Sequence, residues 1–517
     1  MVNTVEELIK TGYKGYSVRH ILMNNEFRKR VINDPSVRGN EDAKNLVMDK
    51  LAVGGKVLIT GPTGEAKTLF SRILLDHIVR EINNHKYHID SCPFLEDAGY
   101  IIDVVEQFEV DPFNGIRVLQ SLCPFCRTKI ENALSDGKGD VKLDNTSSIL
   151  KIKPAEFKEK LLKIGVEKTV VRKAQLDPRT DPESLYMLLA GVENLEELFG
   201  KETSTTYTPT SHKVGVLSKG FIVVNEIQRL PLSLLEALMG FLEDTTSIKY
   251  NLQGEPVYID GAMIFTSNAP LTVFGEESQP IINRIPEVLW PARSVESRSQ
   301  IVRDMFREQV TLSRQKITAN PSIVQLYDRE KSSKDYVSKL AIDFLAFIGN
   351  NSLPEALKKG RIRSESRVQR LDFYAGLDEI HDPQRNPHID LRTTSNIVGS
   401  VLLNRERELQ DEEYNVVTIE HVRKVLDDYD IPLAMVNDAL QEIKIKLRSN
   451  LKSAGMAVKA EDISEDISKM KALSDEELSE LIINYEKLER YYESDVLPKI
   501  VEQLKPSYEA LLKVDYI

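Results

Sequence analysis

The 517-residue sequence has little cysteine, no long apolar run and no excess of basic charge. Its three cysteines are too few for a disulfide framework, which indicates a reducing compartment, and we expect the cytoplasm. No apolar run reaches the roughly 18 residues that a membrane-spanning helix needs, so we expect no membrane span. The first residues, with Glu6, Glu7 and Lys10 among short apolar pieces, do not have the composition of a signal peptide.

The charge balance limits the kinds of partner. The chain has 80 acidic against 68 basic residues, a net charge of −12, which argues against a nonspecific coat on nucleic acid and allows only a local basic patch. With 41% apolar and 29% charged residues, the composition is that of a soluble globular protein, and the length predicts roughly two to four domains.

Residues 61–68 have the pattern of a phosphate-binding loop. They follow an apolar run at 57–60 that predicts a buried strand, and they open an amphipathic run at 69–75 that predicts a helix. In such a loop the backbone N–H groups surround a phosphate, Lys67 adds a positive charge and the Thr68 hydroxyl ligates Mg²⁺. We therefore expect ATP to bind here, and a chance match is the alternative. The loop residues are Gly61, Pro62, Thr63, Gly64, Glu65, Ala66, Lys67 and Thr68.

A second apolar segment supplies the polar residues that such a loop requires. Residues 219–226 predict a strand that is buried on both faces and ends in Asn225 and Glu226. Glu226 is the candidate general base that polarises a water molecule toward the γ-phosphate. Asn225 stands where an Asp normally supports Mg²⁺, and Ala66 stands where a Gly normally precedes the lysine. We expect the missing charge at Asn225 to affect turnover more than binding.

The chain resembles the AAA+ ATPases, in the branch that includes MoxR proteins, magnesium chelatase ATPase subunits and MCM helicases. Residues 220–231 are similar to a Walker B strand and its continuation, and residues 234–243 to the helix that follows it. Two β-prone runs around residues 251–255 predict a hairpin on their own account, and its position is similar to that of the pre-sensor hairpin of this branch. The MCM helicases carry Ala at the position of Ala66.

The same resemblance implies further site residues. The run 262–268 looks like the sensor 1 strand, with Asn268 placed to hydrogen-bond the γ-phosphate or its water, and an unpaired buried Asn at a strand end would otherwise be costly. Arg284 is in the position from which this class supplies an arginine finger to the neighbouring subunit. Arg367 is in the position of sensor 2, and Arg363 is the substitute. A surface ion pair at Arg284 and a salt-bridged helix face around Arg367 are the alternatives.

Within this branch the nearest resemblance is to the PrkA-type AAA+ proteins, which are called serine protein kinases. Residues 176–192 loosely resemble the long insertion that those proteins carry before the Walker B strand. The resemblance spans residues 40 to 375 and is strongest at the nucleotide motifs. The chain has no HRD or DFG set, so we do not carry kinase activity over.

The resemblance implies an α/β fold: a three-layer αβα P-loop NTPase core with a parallel sheet, a helical lid and a C-terminal helical region. We expect an N-terminal helical segment at 1–50 and the core at 51–292, with an insertion at about 90–212. The lid is expected at 293–430 and a helical extension at 431–517.

All three cysteines fall at or near the expected insertion. Cys123 and Cys126 have the two-residue gap of a zinc knuckle, and His88 lies four residues before Cys92, so a tetrahedral Cys₃His zinc site can be drawn. His85 or a carboxylate is the alternative fourth ligand. Free thiols, buried as small apolar residues, are the competing interpretation.

The sequence leaves three functions open. We prefer a cytoplasmic ATPase that uses ATP and Mg²⁺, assembles with itself as a ring, expected to be a hexamer, and remodels a protein client, because an arginine finger acts only in trans. A scaffold or regulator that binds ATP and turns it over poorly is second, because of Ala66 and Asn225. A DNA-translocating motor is third, since residues 251–255 at the hairpin tip lack basic side chains that hold phosphates.

Overall fold

The chain divides into two units in the computed structural model. The first comprises Met1–Pro62, Ala66–Pro291 and Arg361–Glu365, and the second comprises Thr63–Glu65, Ala292–Gly360 and Ser366–Ile517. The structure describes residues 2–135, 141–178, 220–230, 232, 235, 238, 241–242, 247–252, 255–269, 284–318, 336–337, 339–358, 367–380, 389–408, 416–417, 419–429 and 431–455.

The first unit contains both helices and strands. Thr4 and Ser17 cap the first two helices by accepting the N–H groups of Glu7 and His20, which would otherwise lack partners. In chain order the elements are α1 Val5–Lys10, α2 Val18–Met23, α3 Asn25–Ile32, α4 Glu41–Gly54, β1 Lys56–Thr60, α5 Lys67–His85, β2 Tyr87–Ile89, α6 Gly99–Gln107, α7 Pro112–Gln120, α8 Pro124–Leu134, α9 Thr146–Ile149, α10 Pro154–Leu162, β3 Val166–Lys168, β4 Ala174–Leu176, β5 Phe221–Val224, β6 Ile248–Leu252, β7 Glu255–Ile259, β8 Ala262–Ser267 and β9 Glu287–Leu289.

Five of these strands form one parallel sheet in the order β4-β5-β8-β1-β9. Strand β8 lies between β5 and β1, so that Thr60 at the end of β1 is opposite Ser267 at the end of β8. Val224 at the end of β5 is opposite Phe265 of the same central strand. The carboxyl ends of the three middle strands therefore meet at one edge of the sheet.

The sheet is buried on both faces, because successive side chains of a strand point to opposite sides. Leu58, Ile222 and Phe265 pack into a core that also contains residues of α6, α7, α8 and α10. Their chain neighbours Ile59 and Val223 pack into a second core with residues of α2 to α5. Helices thus cover both faces, and the predicted α/β fold with a three-layer αβα core is confirmed.

Two smaller sheets complete the first unit. Strand β2 pairs antiparallel with β3 and so stays outside the five-stranded sheet. Strands β6 and β7 pair antiparallel from Ile248 opposite Ile259 to Leu252 opposite Glu255, which is the hairpin predicted from the sequence. Residues 253–254 at its tip, and the part of the expected insertion from 179 to 212, lie outside the described residues.

In its described part the second unit is helical, with one short pair of parallel strands. Its core is formed by side chains such as Val302, Phe344, Val398 and Val422. Its elements are α11 Val295–Thr318, β10 Tyr336–Val337, α12 Lys339–Asn351, α13 Glu355–Lys358, α14 Arg367–Ile380, α15 Leu391–Glu408, β11 Val416–Val417, α16 Ile419–Leu426 and α17 Leu433–Gly455. The expected domain boundaries stay predictions, and residues 456–517 of the expected extension lie outside the described residues.

None of the helices in the described part of the chain is both long enough and apolar enough to cross a bilayer.

Candidate nucleotide site

The loop between β1 and α5 is folded back on itself by its own lysine. Lys67, the first residue of α5, donates from Nζ to the carbonyl oxygens of Gly61 at 2.7 Å and Pro62 at 2.6 Å, and its side chain is buried. Thr68 follows at the second helical position and is half-buried. The ammonium and hydroxyl groups thus accompany the N-terminus of a 19-residue helix, where unpaired N–H groups and the helix dipole favour an anion.

The backbone conformation of the loop explains why glycine occupies positions 61 and 64 and what the alanine at position 66 costs. A Cβ on Gly61 would lie 2.2 Å from the carbonyl oxygen of Trp290, so no other residue fits there. Gly64 has a φ of +77°, which glycine adopts without strain. Ala66 has a φ of +56°, a left-handed conformation that costs a residue with a Cβ about 1–2 kcal/mol. The alanine therefore takes the conformation that the usual glycine would take, at a cost in strain.

Glu226 and Asn268 meet at the carboxyl ends of β5 and β8. The Nδ2 atom of Asn268 donates to Oε1 of Glu226 at 3.4 Å, and the backbone N–H of Glu226 donates to the Thr266 hydroxyl at 3.2 Å. The other carboxylate oxygen of Glu226 pairs with Arg229 at 3.0 Å. The structure thus brings together the two residues that the sequence predicted as general base and sensor 1. The sequence analysis did not single out Thr266, which binds the backbone N–H of Glu226, or Arg229, which pairs with its carboxylate.

Two buried polar oxygens at this edge of the sheet lack protein partners. In the described part of the chain, neither Asn225 Oδ1 nor Thr60 Oγ1 has a hydrogen-bond partner. Asn225 follows β5, and Thr60 ends β1 just before the loop. A buried acceptor without a donor or a cation costs about 1–3 kcal/mol. The oxygen donor set of Asn225 and Thr68 fits a Mg²⁺ ion with retained water, since Mg²⁺ binds oxygen ligands.

Of the two predicted arginines, the structure describes the side chain of Arg284 but not that of Arg367. Arg284 is half-buried and lies three residues before Glu287, which is opposite Leu58 in the middle of β1. It therefore approaches the sheet from the amino ends of the strands. Arg367 is the first residue of α14, and its side chain, like the whole of Arg363, lies outside the described residues. The roles of both arginines stay predictions.

Glu65 has partners that the sequence analysis missed. Its carboxylate is fully buried and pairs with the guanidinium groups of Arg293, at 3.3 Å, and Arg298. The backbone N–H of Arg293 donates to the same carboxylate at 3.2 Å. Burial lowers the pKa of Arg293, and the charge of Glu65 opposes this shift. Two guanidinium groups pair with this one carboxylate, so Glu65 presents no uncompensated negative charge.

The predicted zinc ligands separate into two groups. Cys92, Cys123 and Cys126 are buried, and their sulfur atoms lie within 4.8 Å of one another. His88 does not join them, because its ring nitrogens contact the Thr169 hydroxyl at 3.1 Å and the Glu167 carboxylate at 3.0 Å. Pairing of β2 with β3 brings His88 opposite Glu167. The sequence placed His88 with the cysteines from its spacing alone, and the structure directs its ring elsewhere.

The folded-back loop after β1, the carboxylate after β5 and the amide after β8 thus lie at one edge of a parallel α/β sheet, with β8 between the other two strands. No family model and no curated protein sequence matches the chain. Similar solved structures include NtrX from Brucella abortus in complex with ADP, at 12% identity and a TM-score of 0.31, covering 86% of this chain and 71% of that one. NtrX in complex with ATP is similar at 12% identity and a TM-score of 0.30, covering 85% and 70%. TM-scores this low give the likeness no weight for function.

The Glu65 cluster predicts a large loss of stability on neutralisation. In Glu65→Gln two buried guanidinium groups lose their counter-charge, and we expect a loss of about 3–5 kcal/mol, as for other buried pairs from which one partner is removed. Urea unfolding of the full chain, followed by circular dichroism, measures it.

The matched control is Glu355→Gln in the same unit, where an exposed carboxylate pairs with Lys358 at 2.9 Å. We expect this surface pair to contribute about 0–1 kcal/mol. If the two variants unfold at the same urea concentration, Glu65 does not stabilise the fold in the way described.

Proposed function

We propose that the chain is a Mg²⁺-dependent ATPase of the AAA+ kind, that its nearest functional counterparts are the MoxR and PrkA proteins, and that it remodels a protein client in the cytoplasm. One observation carries this proposal. The loop of Lys67, the carboxylate of Glu226 and the amide of Asn268 follow three adjacent parallel strands and so share one edge of the sheet.

Binding of ATP begins with Lys67. Its ammonium group now donates to two neutral carbonyl oxygens, those of Gly61 and Pro62. Charge-assisted hydrogen bonds to phosphate oxygens are roughly twice as strong as bonds to neutral acceptors, so the ammonium group exchanges its carbonyl partners for the phosphates. Thr68 and Asn225 would hold a Mg²⁺ ion, Thr68 through its hydroxyl and Asn225 through a water molecule. The ion would supply positive charge that neutralises the phosphates.

Hydrolysis depends on Glu226. Its carboxylate takes a proton from the attacking water while the water oxygen bonds to the γ-phosphorus. The bond to the bridging oxygen breaks, and ADP leaves with that electron pair. Asn268 already touches Glu226 at 3.4 Å, so its amide is within reach of the water that Glu226 polarises. Both side chains act from strand ends, which hold them more rigidly than a loop would.

The test of the proposal is to separate binding from hydrolysis. We expect Glu226→Gln to bind ATP as the native chain does and to release phosphate about 10²–10⁴-fold more slowly, since the amide cannot accept the proton. We expect Lys67→Ala to lose ATP binding. Phosphate release and equilibrium binding of a fluorescent ATP analogue measure the two steps.

Glu109→Gln serves as the control, because Glu109 is an exposed carboxylate of the same unit. It should match the native chain in both assays. A native chain that neither binds ATP at millimolar concentration nor releases phosphate would end the proposal.

The position of Arg284 supports a ring. The strands of the sheet are parallel, and the phosphate loop follows their carboxyl ends, whereas Arg284 precedes β9 at the opposite side. A guanidinium group there cannot serve the nucleotide of its own sheet, so it acts on the nucleotide of a neighbouring subunit or not at all. Closed rings are the symmetric assemblies in which every subunit makes this head-to-tail contact.

Mixing two inactive variants tests the ring. We expect Arg284→Ala to bind ATP and to hydrolyse it about 10³–10⁵-fold more slowly, as for other arginine fingers. Mixed with Glu226→Gln, it should regain part of the activity, because some interfaces then combine an intact Glu226 with an intact Arg284. Phosphate release of the mixture is compared with each variant alone, and Arg19→Ala, at an exposed arginine of the same unit, should stay fully active. Absence of any recovery contradicts action in trans.

Asn225 favours a second candidate, a regulator that binds ATP and turns it over slowly. A neutral amide replaces the usual carboxylate next to the metal, and its Oδ1 has no partner in the described part of the chain. The weaker field at Mg²⁺ affects the transition state, where charge on the phosphates is redistributed, more than it affects binding.

Restoring the charge separates the two candidates. We expect Asn225→Asp to lower the Mg²⁺ concentration for half-maximal phosphate release roughly tenfold, which corresponds to about 1.4 kcal/mol. Magnesium titrations of the phosphate-release rate measure the change. If the native chain binds ATP without hydrolysing it and Asn225→Asp gains hydrolysis, the regulator is the correct function. An unchanged Mg²⁺ dependence shows instead that residue 225 does not face the metal.

A further inference from the structure

The three cysteines of the chain converge from two segments that are far apart in sequence. Cys92 follows β2, whereas Cys123 and Cys126 lie at the start of α8. All three are buried, with exposed fractions of 4%, 2% and 1%. We propose that they bind one structural zinc ion as thiolates and that the carboxylate of Glu96 is the fourth ligand. This proposal is independent of ATP hydrolysis.

The spacing of the sulfur atoms suits a metal better than a disulfide. Cys92 Sγ and Cys123 Sγ are 3.6 Å apart, and all three sulfurs lie within 4.8 Å of one another. Zinc bonds thiolate sulfur at about 2.3 Å, so two sulfurs of a tetrahedral site are separated by about 3.8 Å. A disulfide bond is about 2.0 Å long. The observed separation lies close to the first value.

The two segments form similar arms. Each begins with Cys-Pro-Phe, at residues 92–94 and 123–125. The rings of Phe94 and Phe125 pack together, with their centroids 6.1 Å apart. The second arm supplies its next ligand, Cys126, three residues after its first. In the first arm Leu95 occupies the corresponding place, with a φ of +60°. This turn directs the backbone N–H of Glu96 to Cys92 Sγ at 3.4 Å, a donor that favours a thiolate.

Glu96 is the residue next to Leu95, and its side chain joins the two arms. Its Oε2 atom accepts the backbone N–H of Cys123 at 2.9 Å. A carboxylate that ligates zinc is commonly held by such a second bond. Among the described residues the group of ligand atoms within 4.8 Å of one another comprises the three sulfurs, so the other oxygen of Glu96 turns toward the metal when zinc binds. His88, the residue nearest in sequence spacing, is already occupied by Thr169 and Glu167.

The zinc ion would fasten the insertion to the nucleotide-binding sheet. The three cysteines belong to the same hydrophobic core as Leu58 of β1 and Ile222 of β5. Without a metal, the turn after β2 and α8 are joined by the bond from Cys123 to Glu96, by the packing of Phe94 on Phe125 and by the Lys129–Asp90 ion pair at 2.9 Å. With a metal, four ligands tie both arms to one atom, as in other closed structural zinc sites.

Metal analysis of the native full-length chain is the first test. We expect about one zinc per chain after purification without added metal. Exchange with Co²⁺ should produce thiolate-to-cobalt charge-transfer absorption, a readout that does not depend on ATPase activity. The proposal is overturned if the purified chain contains less than about a tenth of a zinc ion per molecule and shows no charge-transfer absorption after exchange with Co²⁺. It is equally overturned by a Cys92–Cys123 disulfide in the intact mass under non-reducing conditions.

Matched variants test the ligand set. We expect Cys126→Ser to lose zinc. Glu96→Gln should bind it at least roughly 10–100-fold more weakly in competition with a chelator, the range for lost metal-site interactions. His88→Gln, the control, should bind zinc as the native chain does. If His88→Gln weakens zinc binding and Glu96→Gln does not, the assignment of Glu96 is overturned. Because Glu96→Gln preserves shape, its circular dichroism spectrum should match that of the native chain, which separates ligand loss from misfolding.

Discussion

The insertion of β8 between β5 and β1, in parallel and in register, is the constraint on which the rest of the site depends. Thr60 and Ser267 end their strands opposite each other, and Val224 ends β5 opposite Phe265, two residues before Ser267. A shift of one residue in this pairing would turn every side chain to the other face. The two alternating hydrophobic cores prevent such a shift, since each strand residue has a fixed apolar face to fill. The strand register thereby places the polar residues that follow the strands at one edge of the sheet.

The phosphate loop contains two opposite charges, and each is held by its own partners. Lys67 is bonded to two carbonyl oxygens of the loop, which are neutral acceptors and easily exchanged. Glu65 is bonded to two buried guanidinium groups, which are charged and are not easily exchanged for other partners. A free carboxylate two residues before the lysine would repel phosphate, so its neutralisation is a condition for anion binding in this loop.

Local sequence signals predicted the parts of the site that local structure determines. Lys67, Glu226 and Asn268 each stand directly next to a strand or helix that apolar periodicity marks, and the structure places them at those ends. Partners far apart in sequence gave no such signal: Arg293 and Arg298 are 228 and 233 residues from Glu65. His88 shows the converse error, since spacing placed it near Cys92 while cross-strand pairing with β3 set its actual contacts.

The resting contacts of Glu226 do not by themselves make the site inactive. Arg229 pairs with the carboxylate at 3.0 Å, but its side chain is 67% exposed, and exposed pairs contribute only about 0–1 kcal/mol. Micromolar ATP binding corresponds to about 8 kcal/mol, so rearranging this pair takes a small part of it. The neutral Asn225 is different, because no rearrangement supplies the missing carboxylate. A slow turnover would therefore originate at the metal rather than at the general base.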